Sequence, residues 1–110
     1  MKIAKIKLGN GVSIAIRDDQ LPITIGRGKT CDIRIPEPYV SRMHCELYLG
    51  EGHSLCLKDT SSNGTTVNNR VVSGESVRIS NNTEVLLADE CSLTLTLTDN
   101  DGITQIPGIT

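Results

Sequence analysis

Apolar and polar residues alternate along most of this chain, and the alternation has a period of two. The clearest stretch is Cys91-Ser92-Leu93-Thr94-Leu95-Thr96-Leu97-Thr98, apolar on one face and hydroxylated on the other. Successive side chains of a strand point to opposite faces, so this stretch predicts a half-buried antiparallel strand with a solvated side. Shorter runs of the same kind fall at 2–8, 12–18, 22–26, 32–35, 44–49, 54–58, 65–68, 76–79 and 84–88. No window of about eleven residues or more carries a helical stripe. Many short strands at this spacing predict an all-β sandwich or barrel.

Turn chemistry separates the runs. Asn10-Gly11 predicts a hairpin, since both residues accept positive φ. Gly50-Glu51-Gly52 and Ser80-Asn81-Asn82 mark two further turns, and Pro36 and Pro38 bracket a loop closed to helix and ladder alike. Lys2, Lys5 and Lys7 alternate with apolar residues, as on the solvated face of an edge strand. Residues 1–98 form the patterned domain. From Asp99 to Thr110 the alternation ends, which predicts a C-terminal tail or linker.

Composition narrows the function. The chain has 110 residues and a net charge of −2, enough for one compact domain and without the surplus of cations that binds nucleic acid or anionic membrane. No apolar run approaches the ~20 residues that span a bilayer, and no apolar segment of a secretory signal follows Met1. Phe and Trp are absent, so the core is expected to be aliphatic, with no aromatic stacking platform or cage. Cys31, Cys45, Cys56 and Cys91 have no CxxC pairing and no histidine at a zinc-ligand spacing. They read as reduced thiols, Cys45 and Cys91 at apolar strand positions, and point to a reducing cytoplasm. No cofactor or metal is expected.

Three loops differ from the rest: Gly26-Arg27-Gly28-Lys29-Thr30, Tyr39-Val40-Ser41-Arg42-Met43-His44 and Asp59-Thr60-Ser61-Ser62-Asn63-Gly64-Thr65. Their guanidinium groups, hydroxyls, amide and permissive glycines suit a phosphate dianion, since arginine offers a rigid fork of donors. Charge agrees locally. Residues 27–42 hold Arg27, Lys29, Arg34 and Arg42 against Asp32 and Glu37, a balance of +2 within a chain of −2.

Gly26-Arg27, Val40-Ser41-Arg42 with His44, and Ser62-Asn63-Gly64-Thr65 followed by Val67-Asn68, in this order, resemble the signature of the forkhead-associated (FHA) domain. Cys31-Asp32-Ile33-Arg34-Ile35 and the strand-ending Asp59 fit the same pattern, and the resemblance covers residues 1–98. It implies an eleven-stranded β-sandwich of two antiparallel-rich sheets that binds phosphothreonine peptides at one end and catalyses nothing. It also implies roles. Arg27, Ser41, Arg42 and Ser62 would contact the phosphate, and Asn63 the peptide backbone. Gly26, His44, Gly64 and Thr65 would support the loops. A small pocket for the threonine γ-methyl group belongs to the family, without a residue here assigned to it. Specificity around the phosphothreonine would fall to Tyr39, Thr60 and the Asn82-Thr83 turn. The partner would be a phosphothreonine-containing protein or peptide, either a Ser/Thr kinase substrate or the kinase itself, in signalling.

Other readings of the same residues stand beside this one. Arg27 alone is an ordinary solvated loop residue, and Ser41 can simply cap its turn. A phosphate-independent scaffold that binds a folded partner through the sheet faces or edges is the main alternative. A small hydrolase using His44, Asp59 and Ser62 is a remote one, since no strained nucleophile elbow precedes the Asn-Gly turn.

Overall fold

The computed structural model describes residues 2–98. The tail expected at 99–110 lies outside them. Eleven strands follow in order: β1 (Lys2–Leu8), β2 (Ser13–Arg17), β3 (Ile23–Gly26), β4 (Ile33–Arg34), β5 (Cys45–Leu49), β6 (Leu55–Asp59), β7 (Thr65–Val67), β8 (Arg70–Val72), β9 (Ser76–Arg78), β10 (Thr83–Leu87) and β11 (Cys91–Leu97). They form a six-stranded sheet in the order β2-β1-β11-β10-β7-β8 and a five-stranded sheet in the order β4-β3-β5-β6-β9. The short β3–β4 pair is parallel. All-β architecture in two sheets is therefore what the alternation built. Among the described residues, helix is confined to single 3-10 turns at Asp18–Gln20 and Glu51–His53. No helix there is long and apolar enough to cross a membrane.

The sheets face each other through the apolar half of each alternating run. Ile6, Ile16, Ile25, Leu47, Leu57, Leu87, Leu93 and Leu95 are fully buried, and the core is aliphatic as the composition demands. Burying one such side chain contributes about 1.5–3 kcal/mol, so these residues supply the main drive to close the sandwich. Cys45 lies in the same layer. Its thiol is pushed up to about 12, first by burial, then by the charge of Asp59 and by Cys31, which leaves it inert at neutral pH. Cys91 is only half-buried, and all four thiols are free.

Three expectations need correction. The lysines of β1 are exposed as predicted, but β1 is not an edge strand: it pairs with β2 on one side and β11 on the other. At Asn10-Gly11 only Gly11 has positive φ, at 92°. Asn10 instead accepts the Val12 N–H through its side chain at 3.0 Å, which builds a longer loop. Strand β8 had no counterpart among the alternating runs. Three residues are too few to show a period, and of them only Val72 is buried. The turn before it was the available signal: Asn68 and Asn69 take φ of 48° and 69°, the paired positive values of a two-residue hairpin.

Candidate functional site

Antiparallel pairing brings the three loops to one end. Cys45 at the start of β5 pairs with Asp59 at the end of β6 and with Ile25 in β3. The loops leaving β3, entering β5 and leaving β6 are therefore neighbours. Thr65, which opens β7, closes the third loop.

His44 sits among them, fully buried. Its N–H donates to the Ile25 carbonyl (2.9 Å), and its carbonyl accepts the Thr60 N–H (3.0 Å). Its Nδ1 accepts the Ser41 N–H at 3.0 Å, so the ring proton belongs on Nε2, which donates to the Gly64 carbonyl at 2.9 Å. One side chain thus ties the second loop to the third. Both ring nitrogens are occupied by backbone groups, and neither meets Asp59 or Ser62. The hydrolase triad is not assembled.

Asp59 organises the third loop instead. Its Oδ1 accepts from the Ser61 and Thr65 hydroxyls at 2.6 and 2.7 Å, and its Oδ2 from the Gly74 N–H at 2.8 Å. Burial pushes this carboxyl up, but the bonds from Ser61, Gly74 and Thr65 outweigh it and hold it below the ordinary value. The Ser61 hydroxyl also accepts the Gly64 N–H at 2.8 Å. Gly64 itself has φ of +90°, a conformation closed to most side chains. Ser61 escaped the sequence reading, although Asp59-Thr60-Ser61 carries the signal of an Asx turn.

Gly26 has a different reason to be glycine. A Cβ there would lie 2.3 Å from the Arg42 carbonyl oxygen, so the first loop fits under the second only without a side chain. The contact is reinforced by backbone bonds from the Arg27 N–H to the Ser41 carbonyl (2.9 Å) and from the Gly28 N–H to the Arg42 carbonyl (3.0 Å). The Cys31 thiol reaches that same carbonyl at 3.0 Å, a partner the sequence did not announce.

On this frame Arg27, Ser41, Arg42, Thr60, Ser62 and Asn63 line one open hollow with Pro38, Val40 and Met43. Its volume is about 500 Å³, and no carboxylate lines it. The Arg27 Nε donates to the Val40 carbonyl at 2.9 Å, which fixes the guanidinium and leaves both terminal nitrogens to donate elsewhere. The Ser41 hydroxyl accepts the Ser62 N–H at 3.0 Å, so its own proton remains to give. Asn63 donates through Nδ2 to the Tyr39 carbonyl at 2.9 Å, leaving Oδ1 as an acceptor. Thr60 is more constrained, its hydroxyl donating to the Met43 carbonyl at 2.8 Å.

Two candidates fall outside this hollow. Tyr39 lines a neighbouring one with Glu37, Glu90 and Cys91, and its carbonyl accepts the bond from Asn63. Burial, followed by Glu37, Cys91 and Glu90, raises the phenol above its ordinary value. Asn82 lies at the far end of the sandwich. Thr65 pairs with Leu87, and Thr83, next to Asn82, is at the other end of β10. At about 3.3 Å per residue the strand separates Asn82 from the site by more than 10 Å. Which end of the sandwich a turn faces depends on the sheet register, which the sequence alone does not give.

Known proteins resemble this chain in sequence and in fold. Human proliferation marker protein Ki-67 is 38% identical over 64 residues, covering 58% of this chain and 2% of that protein. The probable serine/threonine-protein kinase fhkA of Dictyostelium discoideum is 31% identical over 88 residues, 73% of this chain and 15% of that one. The chain thus spans a small fraction of either relative. A solved FHA domain, from a structural and functional analysis of phosphothreonine-dependent FHA domain interactions, is 28% identical with a TM-score of 0.75. The match covers 87% of this chain and 97% of that one. The FHA domain family model matches residues 23–88, a span that holds all three loops and the His44 junction, and the chain belongs to the FHA domain family.

Proposed function

We propose that this domain is a phosphothreonine-dependent peptide-binding module with no catalytic step of its own. One observation carries the reading. Arg27, Ser41 and Arg42 line one open hollow in which no carboxylate answers them, the Arg27 terminal nitrogens and the Ser41 hydroxyl proton remaining to donate. A phosphate dianion supplies the missing charge and several strong acceptor oxygens, whereas a bare threonine hydroxyl brings one neutral oxygen and no charge. In this reading the terminal nitrogens of Arg27, the Ser41 hydroxyl, Arg42 and the neighbourhood of Ser62 take the phosphate oxygens. The free Oδ1 of Asn63 accepts an N–H of the peptide beside the phosphothreonine. The solved relative studied for phosphothreonine-dependent interactions supports it by similarity. Its partner is then a phosphorylated protein, a Ser/Thr kinase or one of its substrates.

The test is capture of a phosphothreonine peptide against its unphosphorylated twin, by the parent chain and by Arg27→Ala and Ser41→Ala. Hydrogen bonds to charged groups contribute about 1.5–3 kcal/mol, so Arg27→Ala should weaken capture by about tenfold to a hundredfold. Thermal melting of the same proteins checks that the sandwich survives. Equal capture of both peptides by the parent, or full capture by both variants, contradicts the reading.

A further inference from the structure

The cations of residues 27–42 meet a second time beside the phosphate hollow. Arg27, Lys29, Arg34 and Arg42 line an adjoining hollow of about 450 Å³ with Gly28 and Pro36, again without a carboxylate. Arg27 and Arg42 face both hollows, while of the two only this one includes Lys29 and Arg34. The arrangement is anchored through the backbone. Arg34 Nε donates to the Arg27 carbonyl at 3.2 Å, and the Gly28 N–H holds the Arg42 carbonyl at 3.0 Å.

The nearby acids do not answer this charge. Asp32 turns away to accept the Thr24 N–H and hydroxyl at 2.9 and 3.1 Å. Glu37 and Glu90 line the next hollow with Tyr39, and Arg34 borders that hollow too without forming an ion pair to either acid. Ion pairs between side chains of the described residues join Arg17 to Asp19 and Arg70 to Glu75, and none involves these four cations. A phosphothreonine brings about −1.5 to −2 at neutral pH, so its arrival leaves roughly two positive charges of this cluster uncompensated.

We propose that this second hollow is an anion subsite for the same peptide: it takes an acidic side chain near the phosphothreonine, a carboxylate or a second phosphate. The inference rests on the phosphothreonine reading and deepens it, because it names the class of peptide preferred. Shared lining by Arg27 and Arg42 keeps the second anion within a few residues of the first, since an extended chain advances about 3.3–3.6 Å per residue. Glu37 and Glu90 in the hollow beyond bound the subsite by their opposite sign.

The experiment measures dissociation constants for phosphothreonine peptides with neutral flanks, with one aspartate moved from four residues before to four after, and with a second phosphothreonine at the same positions. At least one aspartate position should tighten binding about threefold to tenfold over the neutral peptide, and the second phosphate by more. The gain should shrink with added salt. Lys29→Ala with Arg34→Ala should remove it while leaving the neutral phosphopeptide bound as by the parent. The size of the aspartate effect against the phosphate effect distinguishes the two sources of anion. Equal binding of neutral and acidic phosphopeptides, or a gain that survives the double substitution, overturns the subsite and leaves the phosphothreonine reading standing. Failure of every phosphopeptide, the neutral one included, overturns both.

Discussion

His44 holds the loops at this end of the sandwich together with both ring nitrogens and both of its backbone groups. Removing the imidazole leaves a cavity in a fully buried position and strands the Ser41 N–H and the Gly64 carbonyl. A buried polar group left unpaired costs about 1–3 kcal/mol, so His44→Ala should cost about 3 kcal/mol in all. Urea unfolding measures this directly. A loss of less than 1 kcal/mol would mean that the ring is not the tie described. The sequence reads His44 as scaffold because it directly precedes a buried alternating run. It could not show why Gly26 is glycine, since that depends on the Arg42 carbonyl reaching across from another loop. Single residues report their own chemistry in a sequence, and contacts between loops only after the chain has closed.

Among the elements, the third loop depends most on charge. Asp59 draws the end of β6, the start of β7 and the turn before β9 onto one carboxylate. Its pKa is lowered in the folded chain, so its stabilising contribution is complete above about pH 4 and declines as pH falls through the folded value. Asp59→Asn keeps the shape but replaces one acceptor oxygen with a donor, and should cost about 2 kcal/mol at pH 7. The gap between parent and variant should narrow as pH falls below about 4, where the unfolded parent takes up the proton that the folded carboxyl still resists. Unfolding curves at pH 7, 4 and 3 check this, and a gap independent of pH contradicts it. The strands of five or more residues were legible because alternation over that length is unambiguous. Strand β8 was not. It depends on its partner β7 and the Asn68-Asn69 turn more than on any pattern of its own.

For the whole molecule, a net charge of −2 conceals a strongly cationic end. Composition alone argues against general attraction to polyanions and is silent about this end, because the charge there is local. The grouping of Arg27, Ser41, Arg42, Ser62 and Asn63 was readable from motif order. Their common hollow, the fixed guanidinium of Arg27 and the distance of Asn82 required the sheet register. In the proposed function the loop end captures phosphate, while the sheet faces do not bind the partner. A two-dimensional amide NMR titration with a phosphothreonine peptide and its unphosphorylated twin tests it most directly. The phosphopeptide should shift amides of Arg27 to Lys29, Ser41 to Met43 and Thr60 to Gly64, and the bare peptide should leave them unmoved. Matching shifts from both peptides, or shifts confined to the sheet faces and edges, would contradict the claim and favour a phosphate-independent scaffold.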